Sequence, residues 1–288
     1  MSLHSLPKGN DGHWGPVTST IDWCEENYVV SPYFAEFYNS LSSLFYVVAM
    51  INGIRYLNDI GVKEWRGYLA FLSTGIIGVG SFLFHGSLKF RNQMLDELPM
   101  VFGICMQLYN MLLIFPESSK YSSIYSVLLT ACASSICIAY LAYPDPMFHE
   151  IMFGSLVAWV TFLNPWQIWG MTKTHTHLQK RFPSIWRLYA LGVLSFLGAW
   201  IFWMIENANC KLLRTVRNEW GFPVSVLTQF HAFYWHFGTC LSVFATNLRV
   251  GYLSELAKGR DDVFLKFWFI FPWLEVEKGA RKGFKKQA

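Results

Sequence analysis

The chain is short of charge. Only 15% of its 288 residues are Asp, Glu, Lys or Arg, whereas a soluble domain usually carries about a quarter. With a mean hydropathy of +0.28, that shortage argues against a soluble enzyme. Nor are the first residues expected to act as a secretory signal. One Lys and no apolar core precede Phe34, and residues 7–32 are polar, with Gly, Pro and acids. No internal repeat or low-complexity linker divides the sequence, and it contains no EF-hand loop. What it has in quantity is apolar surface: 53% hydrophobic residues, 18% aromatic, 13 of them Trp. Aromatic side chains suit a protein anchored at two membrane–water interfaces.

The apolar residues fall into seven runs close to the length of about 20 that crosses a bilayer. They run from Phe34 to Leu57, Gly67 to Phe84, Leu98 to Phe115, Ile124 to Tyr143, Phe148 to Met171, Ile185 to Ile205 and Val224 to Leu248. Polar breaks such as Lys63-Glu64, Pro144-Asp145-Pro146 and Arg214 to Glu219 separate them. In lipid the backbone must satisfy its own hydrogen bonds, so each run is predicted to be a helix. The fold class is all-α, a seven-transmembrane helix bundle. Residues 1–33 form a polar segment, 34–250 the membrane domain and 251–288 a basic tail.

Lys and Arg set the orientation, because cytosolic loops hold the excess. A lumenal N-terminus puts Arg55, Lys63, Arg66, Lys120, Lys173, Lys180, Arg181 and Arg187 in the cytosol. It does the same for a tail that is basic from Arg249 onward. An odd number of spans then makes the C-terminus cytosolic. The chain ends Lys285-Lys286-Gln287-Ala288, which looks like a dilysine signal read by a retrieval coat, and this predicts an endoplasmic reticulum membrane protein.

Cysteines are few and sort by position. Cys105, Cys132, Cys137 and Cys240 lie in spans and are expected to be buried and inert. Cys24 and Cys210 both fall on the lumenal side, where oxidation can occur. A disulfide tying the N-terminal segment to the sixth loop is expected, with two free thiols as the alternative.

Ionisable groups at membrane depth are costly and mark function. In this topology three places meet at one lumenal level: the end of span two, with Ser81 and His85; the start of span three, with Asp96; and the start of span seven, with His231 and His236. Ser81 and His85 are four apart and share a helix face. Three His form a zinc set that leaves a fourth position for water, and such water ionises near neutral pH. Asp96 would then move protons, and Ser81 would hydrogen-bond the water or the developing oxyanion. The plainer alternative makes each His an interfacial, solvated side chain. His175 and His177 form a His-x-His pair, but the topology puts them in a cytosolic loop. His149, beside Glu150, falls on the same side as the cluster, while His4 and His13 belong to the polar arm. A second cluster, Asp22, Glu25, Asn27 and Glu36 with the carbonyl of Trp23, offers the oxygen ligands a hard cation such as calcium takes. A solvated acidic loop or a helix start with favourable dipole charges is the alternative there.

Several stretches resemble the alkaline ceramidase family: Trp14-Gly15-Pro16, Thr20 to Tyr28, Ala35-Glu36, Gly80 to His85, Leu88-Lys89, Leu95 to Met100, Thr228 to Ala232 and Trp235-His236. The family is a set of seven-helix membrane enzymes, related to adiponectin-receptor-like proteins, that hydrolyse ceramide to sphingosine and a fatty acid. The resemblance implies zinc on His85, His231 and His236, and a site serine and aspartate at Ser81 and Asp96. It also implies calcium at Asp22, Trp23, Glu25, Asn27 and Glu36, and a disulfide between Cys24 and Cys210. One departure stands out. The family pattern spaces the last two His by four residues, and here the spacing is five. On a regular helix that turns one His ~140° from the other, so a π-bulge is predicted between His231 and His236. The competing classes are a seven-helix receptor-like protein with a structural zinc site and a channel. The first also uses three His; the second would spread charges along a pore instead of gathering them at one level.

Overall fold

The computed structural model of the protein describes residues 12–174 and 176–277. It is mostly helical. Its elements are α1 (Phe37–Asp59), α2 (Trp65–Ser87), α3 (Phe90–Leu112), α4 (Ser122–Ala142), α5 (Pro146–Thr174), α6 (Phe182–Trp220), the short α7 (Val224–Leu227) and α8 (His236–Ala257). A π-helical turn, His231–Trp235, leads into α8. Among the described residues, five helices are long and apolar enough to cross a membrane: α1, α2, α4, α5 and α6. Helices α3 and α8 match them in length, at 23 and 22 residues. They are more polar because they turn Asp96, Glu97 and Gln107, and His236, Asn247, Arg249 and Glu255, into the buried interior. Large apolar side chains such as Phe162, Leu194 and Val127 point outward instead, as lipid-facing residues do.

Without a hydrophobic drive between helices in lipid, close packing depends on small residues. Gly78 and Gly80 of α2 serve this role. A Cβ on Gly78 would lie 2.9 Å from the Ser43 carbonyl of α1, and one on Gly80 only 2.0 Å from the Leu95 carbonyl of α3. Pro99 has no N–H for that Leu95 carbonyl, so the oxygen is free of the helix ladder where α2 comes closest. Three helices thus meet tightly one residue from Ser81 and one from Asp96.

Several boundaries differ from the hydropathy reading. Helix α3 starts at Phe90, before the predicted Leu98, because Asp96 and Glu97 interrupt the apolar run without interrupting the helix. Helix α6 continues through the predicted sixth loop to Trp220, so Cys210, Arg214 and Arg217 are helical. The predicted seventh span is broken into α7, the π turn and α8, which runs on to Ala257. Cys105, Cys137 and Cys240 are buried as expected, but Cys132 is exposed on the outer face of α4. Arg249, assigned to the basic tail, is buried on α8.

The tail also departs from an all-α fold. Val263–Trp268 (β1) and Phe271–Val276 (β2) pair antiparallel. Val263, Leu265 and Leu274 alternate inward into the main core, the period-2 pattern of a strand. Arg181 donates to the carbonyls of Asp261 and Val263, and Arg260 Nη1 donates to the Ile60 carbonyl at 2.9 Å. The hairpin therefore closes the end of the bundle where α1 finishes. His175 and Lys285-Lys286 lie outside the described residues.

A candidate metal centre

The site sits at the other end of the bundle, where α1, α3 and α8 begin and α2 finishes. His85 reaches it from the last turn of α2. His231 opens the π turn and His236 closes it: the His236 N–H donates to the His231 carbonyl five residues back. The widened turn puts both rings on one side, so the predicted bulge is present. All three His are buried, and one ligand nitrogen from each lies within 4.8 Å of the others.

The remaining ring nitrogens test whether the trio fits a metal. Metal-ligating His almost always donate their second ring N–H to a carboxylate, a backbone carbonyl or water, and a serine hydroxyl can take the place of that water. His85 Nδ1 donates to Glu36 Oε2 at 2.5 Å. Ser42 Oγ lies 2.7 Å from His236 Nδ1 and 3.1 Å from the Asn39 carbonyl. With the hydroxyl donating to that carbonyl, His236 Nδ1 is a donor. Both arrangements leave Nε2 of His85 and His236 with a lone pair. His231 packs against Trp23, ring centroids 4.4 Å apart, and its Nδ1 is buried without a hydrogen-bond partner. Three buried, converging imidazoles with an orphaned nitrogen fit a tetrahedral zinc donor set.

Ser81 and Asp96 stand beside the trio. Ser81 is one helical turn before His85, and the Asp96 carboxyl lies close enough to its hydroxyl to interact with it. Ser43 Oγ of α1 lies 3.0 Å from Ser81 Oγ. All five residues first singled out, Ser81, His85, Asp96, His231 and His236, are buried at this end. His149 is not part of the trio. Its Nε2 lies 3.2 Å from the Glu97 carbonyl, and Glu97 in turn accepts the Tyr140 hydroxyl at 2.7 Å.

The acidic segment packs directly over the site. Asn27 Nδ2 donates to both Asp22 oxygens, at 3.1 and 3.3 Å, and Asn27 Oδ1 is buried without a partner. Glu25 accepts the N–H groups of Tyr38 and Asn39 in the first turn of α1, at 2.7 and 2.8 Å. Burial, and then the Glu36 carboxylate, push its carboxyl up to about 8. Glu36 Oε1 accepts the Trp23 N–H at 3.0 Å, while the Trp23 carbonyl faces Arg214 at 3.2 Å. Crowded buried carboxylates with an orphaned amide oxygen fit a hard cation. Glu25 also does what the alternative reading foresaw, capping a helix start.

The disulfide Cys24–Cys210 is formed, joining this segment to α6 and not to a loop. Missed in the sequence was Glu206, whose carboxylate accepts the His231 N–H at 2.6 Å. Its place near the end of an apolar run was the available signal. Glu36, read as a calcium ligand, also holds a His.

Comparison with known proteins relates the chain to a known family. The profile of the family described as Ceramidase matches residues 15–275. Alkaline ceramidase 3 of Mus musculus is 36% identical over 80% of this chain and 82% of its own length. Alkaline ceramidase YPC1 of Saccharomyces cerevisiae is 31% identical over 95% of this chain and 88% of its own. The alkaline ceramidase of Arabidopsis thaliana is 29% identical over 95% of this chain and 98% of its own. With the match spanning the helices, the acidic segment and every residue of the site, the chain belongs to the alkaline ceramidase family.

Proposed function

We propose that the protein is a membrane ceramidase. It hydrolyses the amide bond of ceramide, dihydroceramide or phytoceramide to a sphingoid base and a free fatty acid, with zinc on His85, His231 and His236. The observation that carries this reading is the meeting of three buried His nitrogens within 4.8 Å beside the Ser81–Asp96 pair, in a chain of this family.

Zinc, when bound, supplies Lewis-acid polarisation and an activated water. The chain's own residues supply orientation and proton transfer. Glu36 and Ser42 hold the Nδ1 atoms of His85 and His236, fixing both rings. Ser81 donates its hydroxyl to the carbonyl oxygen as negative charge develops there. Asp96 takes the proton from the attacking water and delivers it to the nitrogen as the C–N bond breaks, so the amine leaves neutral. Burial of the site keeps bulk water from competing.

Calcium on Asp22, the Trp23 carbonyl, Glu25, Asn27 and Glu36 belongs to the same proposal. It is supported by the orphaned Asn27 Oδ1 and by Glu36, which touches both clusters. Seven spans, with α3 and α8 added to the five apolar helices, follow from their length and inward polar faces. A lumenal N-terminus, a cytosolic C-terminus, residence in the endoplasmic reticulum and retrieval through Lys285-Lys286 rest on the distribution of Lys and Arg.

The test incubates purified protein with the three ceramide types, with and without a zinc chelator, and reads released sphingoid base. Release that stops on chelation and returns with zinc is expected. Bound zinc without release from any of the three would favour the receptor-like reading.

A further inference from the structure

His231 is held from behind by groups the proposal above does not use. Glu206, 2% exposed, accepts the His231 N–H on Oε2 at 2.6 Å. Its Oε1 accepts Arg217 Nη2 at 2.8 Å. Arg217, 4% exposed, also donates from Nη2 to the Thr228 carbonyl at 2.6 Å. From Nη1 it donates to the Cys24 carbonyl at 2.9 Å and to Glu26 Oε2 at 3.3 Å.

The partners should not be able to meet. Residues eleven apart on a straight helix are ~16.5 Å apart along its axis. Helix α6 is not straight: Asn209 has non-helical backbone angles, φ −121° and ψ 19°, and the break lets Arg217 turn back to Glu206. The need for a partner is local. First-turn N–H groups have no carbonyl inside their own helix, and this one is buried away from water, where an unpaired donor is not tolerated. A carboxylate aligned by a guanidinium fixes the donor more tightly than a neutral acceptor would.

We propose that Glu206 is a positioning residue for His231. Arg217 aligns its carboxylate and ties it to the Cys24–Glu26 stretch, so the disulfide-bonded N-terminal segment sets where the π turn begins. The inference rests on the zinc reading and deepens it. A role confined to bracing α6 would lower stability without a specific effect on metal retention.

The experiment compares wild-type protein with Glu206→Ala and with Gln107→Ala. Gln107 is a buried residue of α3, hydrogen-bonded to Asn247 at 3.0 Å and away from the site. Zinc per chain, the chelator concentration that removes half of it, and the thermal midpoint are measured on each. Glu206→Ala is expected to give up zinc at a chelator concentration about tenfold lower, the usual effect of removing a group that orients a ligand, with Glu206→Gln intermediate. Gln107→Ala should lose thermal stability and keep wild-type zinc retention. Wild-type retention in folded Glu206→Ala overturns the inference alone. Absence of zinc from the wild type overturns the metal reading and this inference with it. Should Glu206→Ala not fold, Glu206→Gln decides: poorer retention than Gln107→Ala supports the role, and equal retention overturns it.

Discussion

The His236 N–H donates to the carbonyl of His231, five residues back, and this one lengthened bond puts both rings on the same metal-sized space as His85. Replacing any of the three with Ala should leave a folded protein that binds zinc at least about tenfold more weakly. His149→Ala is the matched control, buried nearby but turned to the Glu97 carbonyl, and should keep one zinc per chain. Metal analysis after chelator challenge checks both.

The approach of α2 to α3 offers a second prediction. A methyl group at Gly80 would lie 2.0 Å from the Leu95 carbonyl, and that atom is backbone, so the helices must move apart. Gly80→Ala should cost about 1–3 kcal/mol, as overpacking does. It should also lower hydrolysis beyond that loss, because Ser81 and Asp96 sit on the separating faces. Thermal midpoint and turnover measured on one preparation separate the two effects.

The covalent link between the acidic segment and α6 gives a third. Cys24 and Cys210 are 186 residues apart, and Arg214 and Arg217 donate to the Cys24 carbonyl beside them. Cys210→Ser should lower stability by roughly 2–5 kcal/mol. Treating the wild type with reductant should reproduce the shift in thermal midpoint.

These features were unevenly legible in the sequence. The histidines could be found because polar residues stand out in apolar spans, and the π turn because five residues cannot return to the same face of an α-helix. The extension of α6 could not. Glu206, Arg214 and Arg217 look like a loop by charge, and only tertiary pairing, of Glu206 with His231 and of the two Arg with the N-terminal segment, gives them partners on a helix. Asp96 and Glu97 hid the start of α3 for the same reason, since hydropathy cannot tell a polar residue facing lipid from one facing the site. The terminal hairpin was lost behind the basic residues around it, although Val263, Leu265 and Leu274 carry the alternation. Cys132 shows the opposite failure: a residue inside a span need not be inside the bundle.

Asp96→Asn is the decisive variant for zinc-dependent hydrolysis, because it removes the proton carrier and leaves every proposed zinc ligand in place. Zinc content and ceramide hydrolysis are measured on the same purified sample. One zinc per chain is expected, as in the wild type, with turnover lowered at least about 10²-fold, the scale of a lost general acid–base. Wild-type turnover in that variant would contradict the proposed role of Asp96.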